Sequence, residues 1–298
     1  MSKIFEALSK SKGDSTEFAK SIVDETGFQF VDEDLDRPLD VMRSPDQMVG
    51  FEEFDIGQLS DLRSFQAQMR AKVPLLPFSG DHTQAAEQYR IIRTKVLQHP
   101  ANPQLIAVTS PESGDGKSVT SVNIAGVFAL NPEHAVLLID ADLHRGSLAR
   151  YFDVPASPGL AEVLDESASL KDCIGRIDPY PNLFFLPGGK SQYGPADLLN
   201  TKRWSLVAES LRRQFHYVII DTPPAGAVAD FDLIYANADG VVLVVRQDHT
   251  NRLLLLRAYE SIVPEKLLGV VMNCVKPWFL GRSAGYYQYY HYSKYYRK

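Results

Sequence analysis

Residues 105–118 read LIAVTSPESGDGKS. Leu105 to Val108 are uninterrupted apolar residues, which predicts a short buried strand. Gly114, Asp115, Gly116, Lys117 and Ser118 follow as a tight glycine turn, the pattern from Val119 to Leu130 predicts a helix, and Ser113, Gly114, Asp115, Gly116, Lys117, Ser118 and Val119 are the candidate nucleotide-binding residues. Strand, glycine turn, Gly-Lys-Ser and helix together form a phosphate-binding arrangement. Glycines let the backbone come close to an anion, and successive N–H groups line one concavity. The helix N-terminus adds partial positive charge at the same place. In that arrangement Lys117 reaches the β- and γ-phosphates and the Ser118 hydroxyl ligates Mg²⁺. One position departs from the pattern: Pro111 stands where a first glycine is usual.

Two further apolar runs end in acids. Ala135 to Ile139 runs into Asp140-Ala141-Asp142, and Tyr217 to Ile220 runs into Asp221-Thr222-Pro223-Pro224. Carboxylates two residues apart on a strand point to one side. At the C-terminal end of a parallel strand beside a phosphate loop, that side is the ligand crevice. Asp140 is placed to hold Mg²⁺ through water, Asp221 to serve the same metal, and Asp142 to accept a proton from an attacking hydroxyl. The plainer reading of Asp140 and Asp142 is a turn that uses aspartate as a cap. Gly240 to Val245 and Leu267 to Met272 are two more apolar strands, joined by a helix from Asn251 to Ile262. Continuous apolar strands alternating with helices predict an α/β fold, with a mostly parallel central sheet covered on both faces. Short helical pieces are expected at 158–164 and 170–174, a strand at 182–186, and one long helix from Gly194 through Leu211. Lys190 and Tyr193 are placed on a loop able to border the site.

The chain has 298 residues, and its 31 basic and 37 acidic residues give a net charge of −6, which argues against a nucleic-acid partner. Cys173 and Cys274 have no metal-ligand spacing, so they fit a reducing cytoplasm. No apolar run approaches the ~20 residues of a membrane span, and the opening MSKIFEALSKSKGD lacks a signal-peptide core. A soluble protein is expected. Ile4, Phe5 and Leu8 predict a short amphipathic helix, either frayed or a docking element. Asp24 to about Lys72 is acidic and irregular, which reads as a linker or partner-binding arm. The expected organisation is an arm over 1–80, a phosphate-loop domain over 81–280 and a tail over 281–298.

On the predicted helix Ala85 to Gln98, Glu87, Arg90 and Arg93 recur every third residue and share a face. That face is either simply solvated or an assembly surface offering two guanidiniums to another subunit. The chain ends GYYQYYHYSKYYRK, where Tyr286, Tyr287, Tyr289, Tyr290, Tyr292, Tyr295 and Tyr296 are half of its 14 tyrosines. Such a stretch is a sticky aromatic tail, a stacking platform, or a set of phenolic substrates on a tether. About 20 residues extend to at most ~70 Å, enough to enter a neighbouring subunit's site.

With these residues in view, the region from Gln84 onward resembles the cytoplasmic domain of bacterial tyrosine kinases (BY-kinases) of capsule and exopolysaccharide export. The resemblance rests on Glu87-x-x-Arg90-x-x-Arg93, the Gly114–Ser118 loop as Walker A, Leu137–Arg145 as Walker A′, Val218–Pro224 as Walker B, and the tyrosine tail. It implies a fold of the MinD/ParA class of phosphate-loop ATPases and ATP with Mg²⁺ as cofactors. It implies autophosphorylation of the tail tyrosines in trans, with Lys117 on phosphate, Ser118, Asp140 and Asp221 on the metal, and Asp142 as base. Ring-like self-association through Glu87, Arg90 and Arg93 follows. So do a separate inner-membrane polysaccharide co-polymerase as activator, a cognate tyrosine phosphatase, and a cytoplasmic place beside the membrane. The rival readings are a MinD/ParA-type ATPase switch and a nucleotide-binding scaffold without kinase activity. The family usually has an arginine two residues after the second Walker A′ aspartate, where this chain has His144 followed by Arg145. Phosphates added to the tail are expected to expel it from an acidic site.

Overall fold

The computed structural model describes residues 58–67 and 84–275. The N-terminal segment, most of the acidic arm and Tyr286 to Tyr296 lie outside the described residues. A 3₁₀ turn at Leu59–Asp61 leads into β1 (Arg63–Gln66), and α1 spans Gln84–Leu97. Next come β2 (Leu105–Thr109), α2 (Lys117–Ala129), β3 (Val136–Asp140), α3 (Leu148–Phe152), α4 (Leu160–Leu164) and α5 (Leu170–Cys173). They are followed by β4 (Gly175–Asp178), β5 (Leu183–Leu186), α6 (Pro195–Leu199), α7 (Lys202–Gln214), β6 (Tyr217–Asp221), α8 (Asp230–Ala236), β7 (Gly240–Arg246), α9 (Arg252–Glu260) and β8 (Leu267–Asn273).

The strands form one sheet in the order β1-β4-β5-β3-β6-β2-β7-β8, parallel throughout except for the β4–β5 pair. Every position of β2, β3 and β5 is buried, as strands covered on both faces require. Side chains alternate across the sheet. Ile106, Val108, Leu138 and Ile219 pack on one face with Val122, Ile124 and Phe128 of α2. Leu105, Leu137, Val218 and Ile220 pack on the other with Leu160, Trp204 and Leu211. β6 lies between β3 and β2, and its register sets Asp221 directly beside Asp140 on one side and Val108 on the other. The phosphate turn and both acidic strand ends therefore open at the same edge of the sheet.

Three features differ from the sequence expectation. The single helix expected from Gly194 through Leu211 is two, α6 and α7. Thr201 between them is extended (φ −105°, ψ 154°), and its hydroxyl donates to the Leu198 carbonyl at 2.8 Å. A stretch assigned to the arm supplies β1, an edge strand anchored by buried Phe65. β4 was not anticipated, because Gly175-Arg-Ile-Asp178 carries a single strongly apolar residue. Its Gly175 accommodates the Phe65 ring, since a Cβ there would lie 2.4 Å from Phe65 Cε2. Among the described residues, no helix is long and apolar enough to cross a membrane.

Candidate active site

The loop between β2 and α2 is held in a conformation that needs glycine. Gly114 and Gly116 have φ of +96° and +95°, the left-handed region that other residues rarely adopt. A Cβ on Gly116 would also lie 2.1 Å from Asn273 Nδ2, the amide that donates to the Asp115 carbonyl at 3.1 Å. The loop is buttressed from behind. Asp115 is fully buried, and its carboxylate accepts from Thr250 Oγ1 at 2.7 Å and the Glu112 amide at 3.2 Å. Glu112 accepts from the Asn251 amide at 2.7 Å, and Arg246 donates to the Gly114 carbonyl at 3.1 Å. Asp115 therefore shapes the loop from inside and does not turn its side chain to the cleft. Ser113, Gly114, Gly116, Lys117, Ser118 and Val119 do line it.

Lys117 opens α2, and its Nζ lies 2.9 Å from Asp142 and 3.7 Å from Asp221. Burial works against its charge, but the facing carboxylates of Asp221 and Asp142 outweigh that and raise the pKa. Asp221, at the end of β6, is fully buried and accepts from Ser121 Oγ at 2.9 Å through Oδ1. Asp140, at the end of β3, accepts the Leu148 amide at 2.9 Å and so caps α3. Asp140 Oδ1 and Asp221 Oδ2 are buried and make no hydrogen bond. Burial, and then the neighbouring Asp221, push the Asp140 carboxyl up to about 7. Burial likewise raises the carboxyl of Asp221. Asp140 and Asp221 sit side by side in the β3–β6 register, and two desolvated carboxylate oxygens with no hydrogen-bond donor, one of them 3.7 Å from Lys117 Nζ, are a donor set that suits a hard divalent cation. The Ser118 hydroxyl stands on the same side, 3.3 Å from Ser147 Oγ. The residues present thus fit both a phosphate and Mg²⁺.

The cleft in front has a volume of about 770 Å³. Its walls are the phosphate loop, the segment 142–151 after β3, the turn 223–228 after β6, and Leu254 and Arg257 of α9. Tyr193 and Lys190 are not among its lining residues. His144 lines the cleft, and its Nε2 lies 2.9 Å from the buried Asp230 of α8. Arg145 instead reaches the loop and donates to Ser113 Oγ. A guanidinium therefore reaches the phosphate loop from the residue after His144.

Sequence reasoning found the lysine and the three acids, and the structure brings all four together. It missed Ser147, Tyr151, Arg150, Leu254 and Arg257, which reach the cleft from α3, its cap and α9 and belong to no motif. It also missed the buttress of Thr250, Asn251 and Asn273; two of the three sit in the turn just after β7, and no spacing announces them. On α1, Arg90 pairs with Glu87 at 3.0 Å, whereas Arg93 turns inward and donates to the Val127 carbonyl at 2.9 Å. The two guanidiniums are therefore not both offered outward.

An AAA-domain family model matches residues 103–252. The chain is 35% identical over 192 residues to tyrosine-protein kinase YwqD of Bacillus subtilis, covering 63% of this chain and 80% of that protein. It is 33% identical over 223 residues to tyrosine-protein kinase ptk of Acinetobacter johnsonii, covering 73% of this chain but only 29% of that longer protein. Among solved structures, the kinase domain of Escherichia coli tyrosine kinase ETK superposes with a TM-score of 0.61 at 26% identity. That match covers 71% of this chain and 84% of the ETK domain. With the phosphate loop, the paired strand-end acids and these relatives in agreement, the chain belongs to the bacterial tyrosine-protein kinase family.

Proposed function

We propose that this protein is an ATP-dependent protein-tyrosine autokinase that phosphorylates its own C-terminal tyrosines, Tyr286 to Tyr296, in trans. The observation that carries the reading is the convergence of Lys117, Asp140, Asp142 and Asp221 on one phosphate loop, with two buried carboxylate oxygens that no hydrogen bond satisfies. Ser118, Asp140 and Asp221 would hold Mg²⁺, which when bound neutralises charge on the β- and γ-phosphates. The loop amides and Lys117 bind the phosphates, and Arg145 adds a second cation from across the cleft. Lys117 holds Asp142 beside the reacting phosphate, where its carboxylate receives the proton of the incoming phenol.

The same reading places the protein in regulation of capsule or exopolysaccharide polymerisation and export. It sits at the cytoplasmic side of the membrane, through an inner-membrane co-polymerase that activates it, and a tyrosine phosphatase resets it. Self-association through α1 uses the half-buried Glu87–Arg90 pair, with Arg93 fixing the helix to α2. Mass spectrometry after incubation of the full chain with Mg·ATP tests the proposal. Added phosphate on Tyr286 to Tyr296 is the expected result. ADP production without modification would point to an ATPase switch, and neither outcome to a nucleotide-binding scaffold.

A further inference from the structure

The strand-end acids of β3 run straight into a tight turn. The Asp142 carbonyl accepts the Arg145 and Gly146 amides at 3.0 and 2.7 Å, so residues 142–146 close on themselves. Three side chains of that turn line the cleft, and each is tied to a different element. Asp142 holds Lys117 of α2 at 2.9 Å, Arg145 donates to Ser113 of the phosphate loop, and His144 Nε2 stands 2.9 Å from Asp230 of α8.

The first two ties are made by groups that a nucleotide needs. On the kinase reading Lys117 and Arg145 both turn to the phosphates, so each loosens or shares its present partner when ATP is bound. The third tie does not involve the loop. Asp230 opens α8, its side chain is 3% exposed, and its Oδ2, the oxygen facing the imidazole, is buried without a hydrogen bond. A contact of 2.9 Å that is not a hydrogen bond holds by charge, and so acts when the imidazole carries its second proton. Shielding from water strengthens such a pair, and a buried carboxylate left without its cation is costly.

Resting on the kinase reading, we propose that His144 is a positioning residue for Asp142. Charged and paired with Asp230, it keeps the 142–146 turn in place while Lys117 and Arg145 serve the phosphates. The Asp142 carboxylate then stays where the incoming phenol meets it, and the phenolic proton still goes to Asp142. Histidine changes charge between about pH 5 and 8, so the tie weakens as pH rises through that range. Asp230 faces His144 from α8, and the charged groups that line the cleft with it are Glu112, Lys117, Asp142, Arg145, Arg150 and Arg257. The native chain and a His144 variant share all of these, so the ratio of their rates isolates the imidazole.

The test compares the full chain with H144A, D230N, the H144A/D230N double variant and H144R, by the rate of tail phosphorylation at saturating Mg·ATP. Near pH 6, H144A and D230N are each expected to lower the rate about tenfold. The double variant is expected to be no slower than either, because the two side chains act as one pair. By about pH 8.5 the native chain is expected to approach H144A, whereas H144R, whose charge does not titrate, keeps its rate. Losses that multiply in the double variant, a loss in H144A that D230N does not share, or a native-to-H144A ratio independent of pH would each overturn the proposal. Hydrogen exchange separates the tie from the kinase reading. With Mg²⁺ and a non-hydrolysable ATP analogue near pH 6, the Arg145 and Gly146 amides are expected to exchange about fivefold faster in H144A than in the native chain. Equal exchange would overturn the tie. A native chain that labels no tyrosine counts against the kinase reading, while the exchange comparison still decides the tie.

Discussion

Asp140 shows how one residue serves both fold and chemistry. One of its oxygens caps α3, and the other is buried beside Asp221 with no partner. Its carboxyl is pushed up from 3.8 to about 7. Between those values the folded protein holds a proton that the unfolded chain has lost, so this group makes stability fall as pH rises through the window. In metal-free protein, D140N keeps an oxygen for the Leu148 amide and removes that slope. Its melting temperature relative to the native chain should therefore climb from pH 5 to pH 8, as read by calorimetry. A difference that does not change with pH would contradict the assignment. Asp142 is a different case, since it contacts Lys117 and lines the cleft. On the proposed mechanism D142N lowers the rate of tail phosphorylation by about 10²- to 10⁴-fold. Nucleotide affinity, measured by titration calorimetry, should change far less.

At the scale of elements, what was legible in the sequence follows from burial. Strands β2, β3, β6 and β7 announced themselves because parallel strands covered on both faces read as unbroken apolar runs. The edge strand β1 and its neighbour β4 did not, because a strand that buries one or two side chains carries no such run. The acids at the ends of β3 and β6 could be named from their motifs, but the absence of a hydrogen bond to one buried oxygen of each could not. It depends on the register that sets Asp140 beside Asp221. Arg150 and Arg257 were invisible for a related reason: they lie on separate helices that line one cleft only in the folded chain. The far end of the sheet has its own clasp. Asp239 accepts from the Gln104 and Leu105 amides at 3.0 and 2.8 Å and from Arg212 at 2.6 Å. Burial opposes its charge, but Arg212 and the two amides outweigh burial and hold the carboxyl below the usual range. Its contribution is present above the unfolded pKa and is lost as pH falls through the folded one. D239A, which unties the starts of β2 and β7 from α7, should cost about 2–3 kcal/mol in urea unfolding at pH 7. A loss below ~0.5 kcal/mol would mean that the clasp is incidental.

For the whole molecule, the question is whether one copy's loop and acids act on another copy's tail. The described cleft lies at one edge of the sheet, and the chain continues for 23 residues beyond the last described position, from 276 to 298. A mixing experiment separates the two roles. One chain keeps the catalytic residues but has all seven tail tyrosines replaced by phenylalanine; the other keeps the tail but carries K117M. Neither should label itself. Incubated together with Mg·ATP, they are predicted to yield phosphate on Tyr286 to Tyr296 of the K117M chain, read by mass spectrometry. A mixture in which that tail stays unmodified, while the native chain labels its own, would contradict transfer between copies.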